Sequence, residues 1–100
     1  MKPSNLVVTR NAAELAEALG LTPSDAVEIE IRSDLNDKII EVVNKKHLTH
    51  EQVATLAHTS RTRVTAIMNR NVGEISTDLL LRVLGALGVH AKIQFKKAAQ

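Results

Sequence analysis

The run His50–Arg70, HEQVATLAHTSRTRVTAIMNR, constrains this chain most, because two short apolar faces lie on either side of a very brief turn. Before His58-Thr59-Ser60, Val53, Ala54 and Ala57 share one helical face; after it, Val64, Ile67 and Met68 do the same. Ala54 is small where two crossing helices come closest, and Val64 is spaced to pack against it. The pattern predicts a helix-turn-helix. At ~100° per residue, the arc opposite Val64, Ile67 and Met68 carries Thr62, Thr65, Ala66, Asn69 and Arg70, flanked by Arg61 and Arg63. No Asp or Glu lies between Glu51 and Glu74, so this face offers a partner positive charge only. A helix laid in a DNA major groove needs that.

The residues Leu48, Thr49, Val53, Ala54, Ser60, Val64 and Ile67 resemble the motif of the Cro/lambda-repressor (XRE) helix-turn-helix family. His50 stands where that family favours Gln, His58 where it favours the turn Gly, and Thr59 where it favours an apolar residue. A histidine can hold a left-handed turn position at some energetic cost. The match covers about half the chain firmly; a looser similarity at both ends points to the small HigA-type antitoxin branch. By position in the motif, the resemblance implies that Arg61, Thr62, Arg63, Thr65 and Ala66 approach base edges. It implies that His50, Asn69, Arg70 and Asn71 grip phosphates and set register.

One hundred residues make one small domain, and with Phe95 the only aromatic residue its core must be aliphatic. No cysteine is present, which excludes a disulfide scaffold and thiol-ligated metal and fits a reducing compartment. With no leader-like start and no apolar run near ~18 residues, a cytoplasmic chain without membrane partners is expected. The net charge of +2 conceals a division. Residues 1–44 hold eight acids and four bases, for −4, while residues 45–100 hold three acids and nine bases, for +6. The basic half coincides with the predicted DNA-binding pair. The acidic half is either a solvated exterior or a face for a basic protein.

In chain order, Asn11 and Glu14 form a candidate capping box for a first short helix carrying Leu15, Ala16 and Leu19, which Gly20 ends. Thr22-Pro23-Ser24-Asp25 is a second helix start. The following VEIEIR alternates with period two, a strand signal, yet Val27, Ile31, Leu35, Ile39 and Val43 recur every four residues. The longer stripe predicts a helix, kinked near Ser33-Asp34. Ser76 caps a last helix bearing Leu79, Leu80, Val83, Leu84 and Leu87, closed by Gly88. Val89, Ala91, Ile93 and Phe95 then alternate with polar residues, predicting a strand over Val89–Lys96. A lone strand lacks hydrogen-bond partners, so these four residues are expected to join two copies into a homodimer.

The expectation is a mainly α, five-helix lambda-repressor-like domain. It comprises an N-terminal helical extension (residues 1–33), the helix-turn-helix domain (34–88) and a C-terminal β-strand for dimerisation (89–97). His47, His50 and Glu51 straddle the Leu48-Thr49 turn, which spoils metal-ligand spacing, so no metal is expected. Without a nucleophile–base pairing, a phosphate-cradling glycine loop or chain enough for a deep pocket, no enzyme and no cofactor are expected. The family resemblance implies a repressor that binds inverted-repeat double-stranded DNA and, in the antitoxin branch, a small basic ribonuclease toxin. The alternatives are a stand-alone phage-type repressor and a protein adaptor that no longer touches DNA.

Overall fold

Pro23 opens the first helix where its missing N–H costs nothing, because the first amides of any helix lack an intrahelical acceptor. The computed structural model describes residue 20 and residues 23–95. Within them α1 (Pro23–Lys45), α2 (His50–Ala57), α3 (Arg61–Met68) and α4 (Thr77–Ala86) follow in order. Asp25 in the first turn of α1 and Lys45 in its last complement the helix dipole. The alternating run Val27–Arg32 is helical, and α1 continues through Ser33-Asp34 without a break. Burial of Leu35, Ile39, Val42 and Val43 against the other helices outweighs the local strand preference. The helix also runs through residues 33–34, the expected boundary between the N-terminal extension and the helix-turn-helix domain.

One sequence-based expectation needs correction, and another falls outside the described residues. Four helices are described rather than five, and the one expected over Asn11–Leu19 lies outside the described residues. The strand expected over Val89–Lys96 is also not formed: residues 89–95 carry no strand, and Lys96 lies outside the described residues. The physical reason is the lack of a second strand among the described residues to complete a ladder. Val89 alone packs on the core, whereas Ala91 is exposed and Ile93 and Phe95 are 77% and 93% exposed.

The core is aliphatic throughout. Ile39 and Val43 of α1, Val53 of α2, Val64 and Ile67 of α3, and Leu80 and Val83 of α4 are its largest fully enclosed side chains. Each such burial contributes about 1.5–3 kcal/mol. The four helices end alike. The left-handed residues His47, His58, Arg70 and Gly88 each follow a helix. In every case the left-handed residue and its successor donate their amides back into the last turn: His58 N to Thr55 O and Thr59 N to Ala54 O, for example, at 3.3 and 3.0 Å. Only Gly88 adopts that conformation without steric cost; for a residue with a Cβ it costs roughly 1–2 kcal/mol. In the turn after α2, the buried Thr59 hydroxyl makes no hydrogen bond among the described residues.

This turn therefore holds two removable costs. His58→Gly should raise stability by about 0.5–1 kcal/mol, the relieved strain less the entropy that glycine adds to the unfolded chain. Thr59→Val, which deletes the unpartnered hydroxyl at nearly constant volume, should add about 1 kcal/mol. Urea or thermal unfolding of the two variants measures both.

Candidate nucleic-acid interface

Three side-chain caps build the site. Thr49 accepts from Gln52 N at 3.0 Å while its own amide donates to Gln52 Oε1 at 2.8 Å, closing a capping box that starts α2. Ser60 accepts from Arg63 N at 3.2 Å and starts α3. Ser76 accepts from Leu79 N at 3.1 Å and starts α4. Val53, Ala54 and Ala57 of α2 and Val64 and Ile67 of α3 are buried in one cluster. Burying that face turns the opposite side of α3 outward.

Arg61, Thr62 and Asn69 stand exposed on the outer arc, with Thr65 and Ala66 half-buried beside them. His50, the first residue of α2, places Nδ1 at 2.8 Å from Thr65 Oγ1, which brings two of the expected site residues together. Two further arginines meet neighbouring helices. Arg63 is exposed and lines a surface cleft with Glu74, Ser76, Asp78, Leu79 and Arg82 at the start of α4. The guanidinium of Arg70 donates to the Asp37 carboxylate of α1. More than half of each side chain in that pair is exposed, so it contributes at most about 1 kcal/mol and a phosphate can compete for it. Asn71 is exposed in the loop beyond. Among the described residues no three His, Asp or Glu side chains gather where a metal ion could be held. No helix there is long and apolar enough to cross a membrane.

Two further residues hold α3 and the loop after it, and reading the sequence for DNA contacts passed over both. Asn36, 4% exposed, donates from Nδ2 to Ile67 O at 2.9 Å, at the C-terminal end of α3. One turn earlier, Arg32 donates from Nη2 to Val72 O at 2.6 Å and Ile75 O at 2.5 Å. Its Nη1 reaches Thr77 Oγ1 at 2.9 Å. One planar guanidinium thus clamps the loop between α3 and α4. The sequence does hold a signal: Arg32 and Asn36 fall on the helical stripe of Ile39 and Val43, and a polar residue on a core face needs a buried partner.

The model of a family described as a helix-turn-helix domain matches residues 19–96, more than three quarters of the sequence. The chain belongs to that helix-turn-helix family. Membership marks it as a DNA-binding regulator and agrees with the geometry of α2 and α3. A search of curated proteins and a search of solved structures each gave no match.

Arg32→Met should leave two loop carbonyls and a hydroxyl without their charged donor and cost roughly 1.5–3 kcal/mol in urea unfolding. Amide exchange should quicken over residues 72–77 while the amides of α2 stay protected.

Proposed function

We propose that this protein is a dimeric, sequence-specific repressor, and the antitoxin of a HigA-type pair that represses its own operon. The observation that carries the DNA reading is the outer arc of α3, where Arg61, Thr62 and Asn69 are exposed on a stretch without a single acid. In this reading Arg61, Thr62, Thr65 and Ala66 approach base edges, with Arg61 forking onto guanine O6 and N7. Arg63 joins them by swinging away from the α4 cleft. His50, Asn69, Arg70 and Asn71 grip phosphates, Arg70 by exchanging Asp37 for the backbone.

Dimerisation falls to Val89, Ala91, Ile93 and Phe95. What supports it is exposed apolar side chains on an alternating segment with no strand partner among the described residues. Two copies pairing antiparallel about a two-fold axis would satisfy those backbone groups and cover Ile93 and Phe95. Such a dimer reads an inverted repeat with half-sites about one helical turn, ~34 Å, apart or a multiple of it. Arg61→Ala should cost about 1–3 kcal/mol on the selected operator and relax one base position. Ile93→Asp with Phe95→Asp should give monomers in light scattering and sharply weaker operator binding. Equal losses on operator and random DNA for Arg61→Ala would remove the base-reading role.

The toxin-binding half rests on charge and on the uncovered end of α1. Val27 and Ile31 continue the core stripe but remain 53% and 48% exposed. Beside them Glu30, Asp34, Asp37 and Glu41 follow one another along a ridge of the helix. Desolvation lifts the Asp34 carboxyl above its ordinary range, and the neighbouring Glu30 and Asp37 charges push the same way. A small basic ribonuclease would cover the apolar strip and relieve that crowding. Glu30→Lys with Asp34→Lys should impair neutralisation of the co-purifying toxin and leave operator binding nearly intact. A chain that co-purifies with no basic protein from its native host favours the stand-alone phage-type repressor.

A further inference from the structure

We propose that His50 and Thr65 read DNA as one unit, the imidazole deciding which hydrogen-bonding polarity the Thr65 hydroxyl shows to a base. The proposal rests on the DNA-binding reading above and extends it from contact to specificity. The pair joins the first residue of α2 to the middle of α3 through a 2.8 Å contact between Nδ1 and Oγ1. Among the described residues it is the only side-chain hydrogen bond of either residue, and both side chains are half-buried beside the outer arc. The opposite ring nitrogen, Nε2, is therefore left for a ligand.

A neutral imidazole carries one N–H, so the partner of one nitrogen fixes the role of the other. A DNA phosphate only accepts hydrogen bonds. When Nε2 of the neutral ring meets a phosphate it must hold the proton, and Nδ1 is then a bare acceptor. The Thr65 O–H has to donate to Nδ1. What remains of Thr65 for the groove is an oxygen lone pair and the γ-methyl group.

That surface discriminates. In the major groove, adenine N6 and cytosine N4 present N–H donors, whereas guanine O6 and N7 and thymine O4 present lone pairs. Thr65 thus favours adenine or cytosine at the position it faces and repels the other two electrostatically, while its methyl suits a neighbouring thymine methyl. A threonine free of His50 has no such bias, because its hydroxyl rotates to donate or accept as the base demands. The phosphate contact of α2 and the base contact of α3 are then linked through a single proton.

The test selects a preferred site for the wild-type protein from randomised duplexes and measures binding to every single-base variant of it. Wild type should favour adenine or cytosine at one position by about tenfold. Thr65→Ser, which keeps the hydroxyl, should retain this preference. Thr65→Val should abolish it. His50→Phe, which keeps a ring but no nitrogen, should weaken binding to all sites and also erase the preference. The double variant should lose no more discrimination than either single one. The proposal is overturned if His50→Phe weakens binding but keeps the preference, or if Thr65→Val leaves it intact. A wild type that binds no sequence above random duplex overturns the DNA reading itself and this proposal with it.

Discussion

Ile67 is where the fold and the interface depend on one another. Its side chain is wholly buried in the aliphatic core, and its carbonyl receives the Asn36 amide from α1. The first interaction sets the rotation of α3 about its axis, since turning Ile67 and Val64 inward leaves only one arc to face outward. The second holds the C-terminal end of the helix, and the Arg32 clamp holds the loop that follows. Dispersed apolar burial alone tolerates sliding; the directed hydrogen bonds from α1 remove that freedom. The long helix is thus a bracket for the short one.

The helix ends show how stability and function share a small chain. Three of the four left-handed turn positions carry His47, His58 and Arg70, where glycine would be unstrained. The strain is small against the burial of the seven largest fully enclosed aliphatic side chains, so the turns persist. At Arg70 the side chain reaches the Asp37 carboxylate of α1, a contact that glycine could not make. At His58 and Thr59 no such return is visible, and both residues weigh on the turn that joins α2 to α3.

Much of this was legible from residue types and spacing. Val53, Ala54, Ala57, Val64 and Ile67 mark the two packed faces, the Ser76 cap marks a helix start, and Gly88 marks a helix end. These features are local, written over one or two helical turns, and local patterns survive in sequence. The alternating run Val27–Arg32 was harder, because a strand and a helix compete there and only the stripe that continues to Val43 decides between them.

The alternation from Val89 to Phe95 is equally clear in sequence yet forms no strand, because a ladder needs a second strand and the described chain provides none. The same limit applies to the site. Sequence alone determined which residues of α3 face away from the core, for that follows from helical periodicity and the apolar pattern. It also determined the acid-free stretch that makes the face basic. Only the tertiary structure decided that His50 meets Thr65, that Asp37 holds Arg70, that Arg63 borders the α4 cleft, and that Arg32 and Asn36 secure the end of the recognition helix. The hydrogen bonds among them join residues 15 to 45 positions apart in the chain. They depend on how four helices cross, which no local spacing encodes.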